Sequence, residues 1–87
     1  MTLNDLLLAL RQRLLAVMEE KNRQGAEDLF VTLSTLREIS YATNDERLTA
    51  LIVDLVDAAR DVAMGVEGKN QIPSIDDIQA VLPPKAS

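Results

Sequence analysis

Between Thr43 and Gly68 the chain carries Leu48, Ile52, Leu55, Ala59, Val62 and Val66 at alternating spacings of four and three. That rhythm lays one continuous apolar seam along a helix, close to a heptad pattern. A helix with such a seam must bury it against other helices, so this segment commits the chain to an all-α fold. Thr43 with Glu46 three residues on has the form of a capping box at its start. Gly65 and Gly68 offer the left-handed turn that ends a helix.

The flanking segments supply the partners. Residues 3–24 form a first helix, with Thr2 and Asp5 as a second capping box and Gly25 as its stop. Leu3, Leu7, Leu10, Leu14 and Val17 make one seam, widened by Leu6 and Met18, while Leu8 and Leu15 add a line beside it. At 100° per residue the apolar arc covers roughly 200°, interrupted by Asn4 and Arg11, and an arc that wide needs two neighbours. A second helix runs from Ala26 to Ala42 and buries Leu29, Phe30, Leu33, Leu36 and Ile39. Its phase breaks at Tyr41–Asp45, which predicts a tight turn; without one, helices two and three would fuse into a rod of roughly 60 Å. After the loop Glu67–Pro73, Ser74 and Asp77 open a short helix carrying Ile75, Ile78, Val81 and Leu82, ended by Pro83 and Pro84.

Composition narrows the function. The chain has 87 residues, enough for one small domain, and its core is aliphatic because Phe30 and Tyr41 are the only aromatic residues. Base-stacking recognition of nucleic acid has almost nothing to work with, and a net charge of −5 opposes phosphate backbones and anionic membranes. Without cysteine there is no disulfide or thiolate metal site; without histidine the commonest general base and zinc ligand are missing. No cofactor is implied, and the expectation is a protein that is not an enzyme. Apolar runs such as Leu6–Leu10 fall far short of the roughly 20 residues a spanning helix needs. Asp5, Arg11 and Arg13 interrupt the pattern of a secretory signal, so a cytoplasmic location is expected. Charge is uneven: residues 1–25 sum to +1 and residues 45–68 to −4.

Three polar or apolar groupings bear on chemistry. Asp54, Asp57 and Asp61 share the polar side of the third helix, suited to solvent or to a basic partner; a rod of carboxylates lacks the converging oxygens of a cation site. Glu19 with Asn22, and Glu20 with Gln24, combine a carboxylate and an amide at helical spacing and could orient a water, although ordinary exposed helix ends carry the same residues. The short closing helix could dock its apolar face in a partner's groove or fold back as a lid on the bundle.

Leu36–Thr49, LREISYATNDERLT, with the later segment IDDIQAVL, resembles the chemotaxis phosphatase family CheZ. The resemblance implies a helical-hairpin dimer and an acidic–aliphatic closing helix that binds a response regulator. It covers about a quarter of the chain. That family's phosphatase helix carries an aspartate and a glutamine four residues apart; Arg47 and Leu51 stand at the matching positions, so the catalytic pair does not carry over.

The sequence thus predicts an antiparallel three-helix unit over residues 1–68, with a loop, short helix and tail over 69–87, forming a homodimer. The expected function is a non-enzymatic protein–protein interaction module, such as an adaptor, chaperone or regulator. The alternatives are a response-regulator-binding protein or phosphatase of the chemotaxis type, and a purely structural oligomerisation protein. Leu8, Arg11, Leu15 and Met18 are the expected dimer or partner surface. Ile75, Ile78, Val81 and Leu82 are the expected docking helix, with no metal ligands and no nucleic-acid or membrane partner.

Overall fold

The computed structural model describes residues 2–66 and 72–81. Four helices make up 87% of these residues, with no strand among them: α1 (Leu3–Glu20), α2 (Arg23–Thr43), α3 (Glu46–Met64) and α4 (Ile75–Val81). The expected all-α class is therefore observed, and α2 and α3 share by far the largest helix–helix interface. The expected boundary at 68/69 lies outside the described residues.

α1 begins at the expected box. The Thr2 Oγ1 accepts from the Asp5 N–H at 3.1 Å, and Asp5 Oδ2 accepts from the Thr2 N–H at 3.2 Å. Its end departs from expectation, because the helix stops at Glu20 and Lys21 turns left-handed with φ 52°. The Asn22 N–H then closes the last turn onto Val17 O at 3.0 Å. Gly25 is not the stop; it lies in the first turn of α2, its N–H donating to the Asn22 Oδ1 at 2.9 Å. Asparagine is among the best caps, and it starts α2 earlier than the expected Ala26. Glycine at 25 relieves crowding: an added Cβ would lie 2.9 Å from Asn22 Nδ2 and 3.0 Å from Val17 Cγ1.

The predicted turn between α2 and α3 is present and needs no glycine, since Asn44 adopts φ 57°. Asparagine tolerates that region better than most residues. The capping assignment shifts by two residues, because Thr43 is the last residue of α2 and its hydroxyl donates back to Ser40 O at 2.7 Å. Asp45 is the cap of α3, accepting the Leu48 N–H at 3.1 Å. The molecule's longest dimension is 40 Å, well short of the fused rod. α3 ends at Gly65, left-handed at φ 71°, as the sequence predicts.

One cluster forms the core. Leu7, Leu10, Leu14 and Val17 meet Ala26, Leu29 and Leu33 of α2, seven residues of α3 and Ile78 of α4. α3 buries Leu51, Val56 and Ala58 beside its seam because it packs on all three other helices. Three expected seam residues are instead outside: Leu3 is exposed at the start of α1, Ile39 is 58% exposed, and Val66 is at the surface beyond the end of α3. Helix phase explains Ile39. Counting from Leu29, residue 40 returns to within about 20° of the buried line while residue 39 lies about 80° off it. Ser40 takes the place at 2% exposure, its hydroxyl donating to Arg37 O at 2.7 Å and accepting from Thr49 Oγ1 at 3.1 Å. A buried hydroxyl is tolerated when it is bonded in this way.

α4 is short and yet well anchored. Ser74 and Asp77 form its predicted capping box, with bonds of 3.0 and 3.1 Å. Ile78 is fully buried, Pro73 is buried before it, and the Arg11 Nε–H donates to Pro73 O at 2.7 Å.

Candidate protein-docking surface

The α1 flank proposed from sequence is partly occupied by the chain itself. Leu8 and Leu15 are half-buried, with Leu8 packed against the core cluster, and Met18 is 37% exposed. Arg11 reaches across to the segment that leads into α4. The wide apolar arc of α1 thus meets α2, α3 and α4 within one chain. The three described residues of the closing helix's expected docking face are not all free either. Ile78 points into the core, Val81 is half-buried, Ile75 is 48% exposed, and Leu82 lies outside the described residues.

The carboxylate–amide pairs are separated by the break after Glu20. Glu19 and Glu20 belong to the end of α1, whereas Asn22 caps α2 with its side chain and Gln24 lies inside α2. They do not share a helical face. Along α3, Asp57 contacts Arg60 at 3.7 Å, an exposed pair of small energetic weight. Asp61 is half-buried and also engaged. No group of three or more acidic residues among those described is placed to hold a metal ion.

Asp54 has a different setting. It sits between two open recesses that share it and Ala50. The first, of about 510 Å³, lies where the end of α2 meets the start of α3 and is lined by Tyr41, Asp45, Glu46, Thr49 and Val53. The second, of about 380 Å³, lies between α3 and α4 and is lined by Arg47, Leu51, Ile72, Pro73, Asp77 and Val81. Together they form a shallow trough across α3. Ala50 is its low floor, Tyr41 stands on one wall and α4 forms the other. Partial burial, and then the neighbouring Asp57, push the Asp54 carboxyl above its ordinary range.

Of the residues lining the trough, the sequence singles out Asp54, as part of an acidic helix face, and Val81, as part of the closing helix; it does not single out Tyr41, Ala50 or Val53 as a surface. One signal was available: Tyr41 is one of only two aromatic residues and stands where the helical phase breaks; in the structure it lies in the last turn of α2 and is 52% exposed. Ala50 gave no signal, because a small residue on a solvent side becomes a floor only when walls rise beside it. Comparison with known proteins adds no relative: no family model matches the chain, and no curated protein or solved structure shows significant similarity.

Proposed function

We propose that this protein is a non-enzymatic protein-binding module, an antiparallel three-helix unit buttressed by α4 that offers the trough across α3 to a partner. The observation that carries this reading is the trough itself. It joins an exposed aromatic ring, aliphatic walls and a small-residue floor on a rigid helix. Tyrosine beside aliphatic groups is characteristic of binding hot spots, and a small floor lets a partner backbone approach closely. The absence of histidine and cysteine from the chain fits a surface that binds better than one that transfers protons or groups.

Site-directed photocrosslinking tests the proposal in extracts of the cells that make the protein. A crosslinking amino acid in place of Tyr41 should yield one discrete protein adduct, lost in the Ala50→Leu background. The same amino acid in place of exposed Ala9 should not yield that adduct. Diffuse labelling from both positions, or none from Tyr41, would refute the module. Light scattering of the free protein separately decides self-association, a 9.6 kDa particle being the monomer.

A further inference from the structure

We infer that the trough's partner is a basic amphipathic helix, with apolar side chains along one face and lysine or arginine beside them. The inference rests on the module reading and adds the chemistry of what binds. Two properties of the surface lead to it.

The first is shape with apolar character. Tyr41 and Val53 on one side of Ala50, and the half-buried Ile72 and Val81 on the other, put apolar groups on both sides of a low floor, with Arg47 and Asp77 among those on the α4 side. Packed helices stand 8–10 Å apart in general, the closer distances requiring small residues at the crossing, and Ala50 provides one. A row of apolar side chains at helical spacing would seat on these walls.

The second is the sign of the rim. Asp45, Glu46, Asp54 and Asp77 line the trough against Arg47 alone. Asp54 is at the centre, and no described cation forms an ion pair with it; Arg60 pairs with Asp57 instead. Partial burial and Asp57 raise its carboxyl, and an arriving cation would favour the charged form that both of them oppose. Tyr41 provides a ring face on which a lysine or arginine can also rest. A phosphate backbone, an anionic bilayer or an acidic peptide would bring charge of the wrong sign, and the net charge of −5 extends that preference beyond the trough.

Tyr41 is the sole tyrosine and the chain has no tryptophan, so its fluorescence reports on the trough directly. The probes are three short peptides without aromatic residues: an amphipathic leucine–lysine helix, its leucine–glutamate counterpart, and a lysine-only peptide. The leucine–lysine peptide should change Tyr41 emission saturably at low salt, the lysine-only peptide should bind about tenfold more weakly, and the leucine–glutamate peptide should not bind. Asp54→Lys should weaken the leucine–lysine peptide about tenfold, and so should Ala50→Leu, which alters no charge. Glu20→Lys makes the same charge change at the end of α1 and should leave affinity within about twofold. Circular dichroism confirms that each variant is folded, and Asp54→Asn, expected to weaken binding less than Asp54→Lys, serves if the lysine variant is not. Equal binding of the glutamate peptide, equal loss in Glu20→Lys, or no saturable binding by any peptide would each overturn the basic-helix inference. The Tyr41 crosslinking outcome judges the module reading independently of these results.

Discussion

Replacing Gly25 by alanine should destabilise this protein, although the same change in an ordinary helix does the opposite. Alanine is favoured over glycine by about 0.8–1.0 kcal/mol in a helix interior, and by less in a first turn, where fewer backbone bonds are fixed. Against that gain stand two contacts. A Cβ at 25 would lie 2.9 Å from Nδ2 and 3.1 Å from Cγ of Asn22, the side chain that caps α2 by accepting the Gly25 N–H. Displacing that cap costs about 1 kcal/mol. The same Cβ would lie 3.0 Å from Cγ1 of Val17, which is buried in the core and not free to swing away. Overpacking of this kind costs about 1–3 kcal/mol. The balance is a loss of about 1–3 kcal/mol, or a melting point lower by about 4–24 °C for a domain of this size. Urea and thermal unfolding would measure it. A cycle with Asn22→Ala sharpens the test, since once the cap is gone alanine at 25 should cost less than it does alone. An increase in stability for Gly25→Ala would refute the argument, and strict additivity in the cycle would show that the Asn22 contact is not the cause.

Three other outcomes follow from the same structure. Ile78→Ala should lower unfolding stability by about 2–4 kcal/mol and speed hydrogen exchange in α4; an unchanged urea midpoint would mean that α4 is not docked in the core. Asp45→Ala should cost about 1 kcal/mol while Thr43→Ala stays within about 0.5, and the reverse order in denaturant titrations would return the start of α3 to Thr43. Asp54→Asn should stabilise the protein at neutral pH. Because burial and Asp57 raise its carboxyl in the folded state, the folded chain keeps a proton that the unfolded chain releases, so stability rises as pH falls through the raised value. The variant's advantage should therefore shrink on acidification and vanish below the ordinary carboxylate range; thermal melts across pH in which Asn is the less stable form at neutrality would contradict this.

The sequence carried the helices and most of the core because periodicity and caps are local. Leu48, Ile52, Leu55 and Ala59 are buried as their spacing requires, and the Thr2–Asp5 and Ser74–Asp77 boxes form as written. Its errors cluster where two local rules compete. Gly25 has the chemistry of a stop, yet Lys21 takes the left-handed turn and leaves glycine to solve a crowding problem. Thr43 and Asp45 are both good caps two residues apart, and only the position of left-handed Asn44 decides between them. Ile39 outranks Ser40 in hydrophobicity, but helix phase and a bond to Thr49 put the serine inside. The trough was less legible than the fold. It depends on α4 lying beside α3, a placement that no spacing within either helix encodes.

The bond between Arg11 and Pro73 joins residues 62 apart in the chain. Translation proceeds at roughly 5–20 residues per second, so roughly 3–12 s separate the appearance of these two partners on the ribosome. The hairpin of α2 and α3 needs only a two-residue connection and can close within that interval, since local contacts form first. The flank of α1 around Arg11 must wait for Pro73 and α4. During synthesis α1 emerges before the other three helices and is therefore among the last to be fully covered, and that delay sets the period in which a nascent-chain chaperone would find apolar surface to hold.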